Sequence, residues 1–188
     1  MRRTLLIVAG LLLVASMAVA QTGKIQIFSD LGLTSCNFTD PGSGIVFVYI
    51  YHINTGGATG SQFRVEQVDG ACMSYLAFQS PFSIVIGNPE DGIAIPYQVC
   101  LGALGPIELL TISYFACEGG SPPCSRLTIT PDPVADPLEI LVVDCQMPPN
   151  LLVAPGSDAW INDDGNCPCP QPDPIEDTSW GKIKSLYR

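Results

Sequence analysis

The residues of this chain with the chemistry for catalysis or binding are eight cysteines, one histidine, eighteen acids and an Asn/Asp run near the C-terminus. Nucleophilic hydrolysis lacks its parts. No G-x-S-x-G turn is present, and the one histidine, His52, lies within IVFVYIYHI, where alternate residues face a sheet core, so it reads as structural or as a surface residue rather than a general base. A multi-histidine metal centre needs more histidines than the chain has. Paired carboxylates are the raw material of a glycosidase, which needs only two acids at a fixed separation in space. Glu90-Asp91 and Asp132 fall in turn-like segments, and Glu108 and Glu139 stand near strand starts as outward charges that deter sheet-to-sheet pairing, so no acid is given a catalytic role.

Asn162-Asp163-Asp164-Gly165 offers closely spaced oxygen ligands before a glycine, a pattern suited to calcium. In the twelve-residue loop register, Trp160 falls at position one and Gln171 at position twelve, leaving two anchoring ligands missing; an Asn/Asp-Gly turn is the alternative. Gly56-Gly57-Ala58-Thr59-Gly60 has neither a Walker lysine nor a following helix and reads as a hairpin loop. Asn37-Phe38-Thr39 matches a glycosylation acceptor. No cofactor is expected from any of these motifs.

Export changes what the cysteines mean. Residues 1–20 carry Arg2-Arg3, an apolar run and Ala18-Val19-Ala20, the grammar of a signal peptide cleaved after Ala20. The run is shorter than the ~20 residues that cross a bilayer, and no second span follows. Cys36, Cys72, Cys100, Cys117, Cys124, Cys145, Cys167 and Cys169 all lie in the exported part, an even number, so disulfides are expected and a zinc site, lacking repeated C-x-x-C spacing, is not. Cys117 and Cys124 flank a Gly/Pro turn and form the favoured pair.

The 168 residues after the leader carry 6 basic and 18 acidic side chains, a net charge of −12 that excludes a nucleic-acid binder. Short runs rich in Ile, Val, Phe, Tyr and Thr, separated by Gly, Pro, Asn and Asp, begin at Lys24, Ile45, Gln62, Phe82, Ile93, Ile107, Arg126, Leu138 and Leu151. Without helical periodicity between them, they predict an all-β, antiparallel, immunoglobulin-like β-sandwich of about seven to nine strands. The expected organisation is a leader (1–20), a β-sandwich domain (21–164), a Pro-rich linker (165–174) and an amphipathic C-terminal tail (175–188).

The tail breaks the charge pattern. Lys182, Lys184 and Arg188 are half of the basic residues left after the leader, and in a helix Trp180, Ile183 and Tyr187 share one face. It reads either as packing on its own acidic body or as a sorting or docking element. IQIFSDLGLTSC, Gly60-Ser-Gln-Phe-Arg-Val65 and the ending Ser179-Trp180-Gly-Lys-Ile183-Lys184-Ser-Leu186-Tyr187-Arg188 resemble a group of small exported bacterial proteins that share a leader, an opening strand with a following Cys and a T/S-W-x-x-I/V-K-x-L-Y-R tail. The resemblance implies an extracytoplasmic β domain with a common tail and brings no activity with it. The expected function is a secreted, disulfide-stabilised, non-catalytic structural, adhesion or binding module, with a protein or glycan partner at the cell surface. The alternatives are an exported carboxylate-based hydrolase and a calcium-dependent module.

Overall fold

The computed structural model describes residues 22–167 and 169. The signal segment, the second half of the Pro-rich linker and the tail, with Trp180, Lys182, Ile183, Lys184, Tyr187 and Arg188, lie outside the described residues. Twelve strands follow in chain order: β1 (Thr22–Phe28), β2 (Asn37–Phe38), β3 (Ile45–Thr55), β4 (Ala58–Val68), β5 (Ser74–Gln79), β6 (Ile86–Asn88), β7 (Gly92–Leu101), β8 (Ile107–Phe115), β9 (Ser125–Thr130), β10 (Leu141–Asp144), β11 (Leu151–Val153) and β12 (Asp158–Ile161). No helix among the described residues is long and apolar enough to cross a membrane.

The strands form two sheets. β1-β3-β8-β5 is antiparallel throughout; in the larger sheet β4 is flanked by β7 and β10 along its first half and pairs with β9 along its second. Period-two patterning sets which side chains meet between the sheets. Val46, Val48 and Ile50 of β3 and Ile112 and Tyr114 of β8 point inward, facing Phe63 and Val65 of β4, Ile93 and Ile95 of β7, and Leu127 and Ile129 of β9. At about 25 cal/mol per Å² of apolar area, these buried residues dominate the stability of the sandwich. Pro96 interrupts the donors of β7 beyond the last β6 partner, Ala94, where one edge of the strand is open.

Four disulfides join Cys36–Cys169, Cys72–Cys117, Cys100–Cys145 and Cys124–Cys167, and no described cysteine is free. The favoured Cys117–Cys124 pair does not form. Cys117 leaves β8 of the four-stranded sheet and Cys124 enters β9 of the other sheet, so the segment between them crosses the sandwich instead of turning back. Its carboxylate anchor is Asp40, which accepts hydrogen bonds from the amides of Cys117 and Ser121 and from the Ser121 hydroxyl. Each cysteine therefore reaches a different neighbour: Cys72 in the β4–β5 connection, which crosses between the same two sheets, and Cys167 beyond β12. Cys167 and Cys169 tie the start of the Pro-rich segment to the body.

Three expected strands have different extents. The Phe82 run is irregular until Ile86, the Leu138 run pairs only from Leu141, and the Leu151–Ile161 run divides at Pro155-Gly156. There the Pro155 carbonyl accepts from the Ile25 amide, and Gly156 bridges to Ile25, so the chain leaves one sheet to close on the edge of the other.

Candidate functional site

The strands that flank the first half of β4 build a groove on the outer face of the larger sheet. Because Ser61, Phe63, Ile93, Ile95 and Val142 turn inward, their neighbours Gly60, Ala94, Pro96, Leu141 and Val143 turn outward. Gly60, Ala94 and Pro96 make a low floor, and Ile86 on one side and Val143 and Leu151 on the other make walls, enclosing about 390 Å³. A Cβ on Gly60 would sit 3.2 Å from the Ile95 carbonyl oxygen, so the floor there is as deep as the backbone allows. Ile86 is 65% exposed and Leu151 53% exposed, so the walls present apolar side chains to solvent. The Cys100–Cys145 disulfide holds β7 to the chain just after β10 and straddles the start of β4, where a Cβ on Gly57 would meet both sulfurs at 3.0 and 3.1 Å. A floor strand, β7, and a wall strand, β10, are thus covalently tied to each other across the start of β4.

The groove residues are not among the candidates that motif and spacing single out. Their signal lies in the strand patterning, where Gly60, Ala94, Pro96 and Val143 take outward positions beside the polar Thr59 and Gln62.

The residues singled out for chemistry have structural roles. His52 is fully buried between the sheets. Its Nε2–H donates to the Thr22 carbonyl at 2.7 Å, and its Nδ1 accepts from the Tyr97 hydroxyl of the opposite sheet at 3.2 Å. Burial holds the imidazole below its ordinary pKa, against the smaller opposing effect of the Thr22 carbonyl. Burial also pushes the Tyr97 phenol well up, so both groups are neutral. The three buried carboxylates each hold a loop. Asp40 gathers the 117–121 segment, Asp132 accepts from the Gln62 amide and the Val134 backbone, and Asp144 accepts from the Gln146 and Asn150 backbone and the Asn150 side chain. Desolvation would raise the Asp40 pKa, but hydrogen bonds from Ser121, Gly42 and Cys117 outweigh it and hold the group below the usual carboxylate range.

The calcium candidates are occupied by the fold. The Asn162 side chain accepts from the Asp40 amide and donates to the Ser121 carbonyl, Asp163 accepts from the Gly165 amide and the Asn37 side chain, and Asp164 accepts from the Asn166 amide. Each is a turn or bridging contact, and the oxygens are directed at separate donors, all of them backbone amides except the Asn37 side chain. Asp164 also lies close to the Cys124 and Cys167 sulfurs, but those sulfurs are bonded to each other and neither is a thiolate available to a metal. Asn37 uses its amide on Asp163 and its carbonyl oxygen on the Cys169 amide, so the sequon side chain is part of the framework.

No protein-family model matches the chain, and no curated protein sequence is significantly similar to it. The fold has relatives among solved structures. The sandwich is similar to a cohesin module. The match is to the cohesin module of a family 33 glycoside hydrolase from Clostridium perfringens, with a TM-score of 0.51 at 10% identity over 77% of this chain and 99% of that one. The seventh ScaB type I cohesin from Pseudobacteroides cellulosolvens (TM-score 0.48, 10% identity, 74% of this chain and 92% of that one) and the CaCohA2 module from Clostridium acetobutylicum (TM-score 0.46, 16% identity, 80% and 96%) are also similar. At such identities the likeness establishes the cohesin-like β-sandwich and nothing about its ligand.

Proposed function

We propose that the chain is an exported, non-catalytic binding module that takes a protein partner in the groove over β4, β7 and β10. The observation that carries this reading is the groove itself: a mostly apolar trough with a backbone-level floor, braced by the Cys100–Cys145 disulfide, on the solvent face of the larger sheet. A braced apolar trough suits an apolar ridge on a helix or strand of another protein, because little ordering entropy is lost on its side. Four disulfides suit an oxidising compartment outside the cytoplasm, as the leader grammar does. The buried carboxylates hold loops, which favours binding over hydrolysis as the task of this surface. The similar Clostridium perfringens structure is one module of a family 33 glycoside hydrolase, and this supports a modular role here.

The test is Ala94→Arg, which places a charge on the groove floor while leaving the inward face of β7 intact. Saturable binding of a surface-fraction protein to the immobilised mature chain weakens at least about tenfold, or 1.4 kcal/mol, in this variant. Hydrolysis of a glycan or ester by the purified protein, abolished by one carboxylate substitution, would refute the proposal.

A further inference from the structure

The second outer face is different in shape and stands beside the point where the chain leaves the described body. β1 pairs with β3 only from Tyr49 to Thr55, whereas β8 pairs with β3 from Ile45 onward. On its β1 side the first part of β3, Ile45–Val48, therefore has no strand beside it among the described residues. The resulting notch of about 350 Å³ lies between β3 and the 37–41 segment, with Asn37, Thr39, Phe47 and Tyr49 on its walls. Register places Phe115 beside Ile45 on the same outward face, and Ile45, Phe47 and Phe115 are 56%, 48% and 49% exposed.

Three observations name the occupant. First, Cys169 is bonded to Cys36 and donates its amide to Asn37, a wall residue, so the 19 residues from Pro170 to Arg188 depart from the rim of this notch. Second, the basic residues of the described body do not compete there: Arg64 pairs with Glu66, and Arg126 with Asp69 and Asp158, while Lys24 lies at the opposite end of β1. Acids do lie at the rim. Asp30 follows the wall residue Ser29, and Asp163 holds Asn37. Third, the tail carries Trp180, Ile183 and Tyr187 at helical spacing, with Lys182, Lys184 and Arg188 beside them, an apolar stripe with a positive border.

We propose that residues 179–188 dock in cis on the outer face of the four-stranded sheet, with their apolar face on Ile45, Phe47 and Phe115 and their basic residues toward the acidic rim. The linker favours this. By composition Pro170-Gln-Pro-Asp-Pro174 reads as a short spacer, and a short tether whose reach matches the span gives an effective concentration on the order of 1 mM, so an intrinsic Kd of ~0.1 mM already fills the notch about 90% of the time. This surface is separate from the groove over β4, and the inference does not rest on the binding function proposed for that groove.

The experiment uses the full mature chain with Trp160→Phe, which leaves Trp180 as the only tryptophan. Trp180 emission is expected to be blue-shifted and its quenching by acrylamide several-fold weaker than in the same chain carrying Ile45→Thr and Phe47→Gln, two substitutions at exposed positions. Both proteins are checked for equal thermal stability of the β body. Protection that is independent of protein concentration and lost in the Ile45→Thr/Phe47→Gln chain supports the proposal. A fully quenchable Trp180 in the parent chain overturns it and leaves the tail to an external receptor. Protection that survives Ile45→Thr/Phe47→Gln places the tail elsewhere, and protection that grows with concentration makes the contact one between two copies; either result overturns docking in cis.

Discussion

Two buried ionisable residues with displaced pKa values, His52 and Asp40, act in separate pH windows, and each can be read by its own substitution. His52 is neutral in the fold, because burial holds its pKa below the ordinary value near 6.5. The unfolded chain binds the proton more readily, so this residue contributes stability that is present above about pH 6.5 and lost as the pH falls below it. The melting temperature of the mature protein is expected to drop between about pH 7 and 5 with a slope that His52→Gln flattens, whatever that substitution does to absolute stability. Asp40 acts lower. Its folded pKa lies below the unfolded value near 3.9, so its contribution is present above that value and disappears as the pH falls through the folded one. Asp40→Ala leaves the Ser121 hydroxyl and the Ser121, Cys117 and Gly42 amides without their acceptor and is expected to cost about 3 kcal/mol by urea denaturation at neutral pH. Neither role was visible in the sequence beyond the strand placement of His52. Apart from Gly42, the partners of the Asp40 carboxylate are 77 and 81 residues away, in a loop whose path is set by the crossing between sheets.

Among the elements, the long alternating strands were the legible ones, because inward and outward positions alternate over runs of six residues in each of β3, β4, β7 and β8. β2 is two residues long and pairs in parallel with β12, so it has no pattern to read. β5 is short and irregular between Tyr75 and Ala77, which shifts its alternation midway. The disulfides were legible in number but not in connectivity, since pairing follows loops that cross the sandwich. Proteolysis without reduction is expected to release Cys72 linked to Cys117 and Cys124 linked to Cys167, with no Cys117–Cys124 peptide in the mass spectrum. Removing the first of these by Cys72→Ser/Cys117→Ser opens a 45-residue separation, for which loop-closure entropy gives a loss of about 4 kcal/mol. The Asn162–Asp164 turn is likewise set by contacts with distant segments. Its side chains are committed to Asp40, Ser121, Asn37 and local amides, so millimolar calcium is expected to leave the melting temperature unchanged in differential scanning calorimetry.

At the scale of the molecule, the sandwich separates two outward surfaces by its own core. The groove over β4 is walled by strands of the larger sheet, and the notch beside β3 belongs to the other sheet, so no side chain is shared between them. Substitutions at sites without shared partners add, to within about 0.5 kcal/mol. Ala94→Arg is therefore expected to weaken partner binding without altering Trp180 protection, Phe47→Gln to release Trp180 without altering partner affinity, and the double variant to show the sum of the two effects in both measurements. The alternative is coupling through the core, in which Phe47→Gln changes affinity at the groove by more than that tolerance. Coupling would require the β3–β8 and β4–β7 layers to shift together, against close-packed inward residues such as Ile50, Ile112, Phe63 and Ile95 that are almost without exposure. The three disulfides at the end of the sandwich where Cys36, Cys72, Cys117, Cys124, Cys167 and Cys169 meet oppose such a shift further, since two of them tie the chain's exit to the loops on either side of it. Isothermal titration of the four proteins against one partner, read beside their acrylamide quenching, distinguishes two independent faces from one coupled unit.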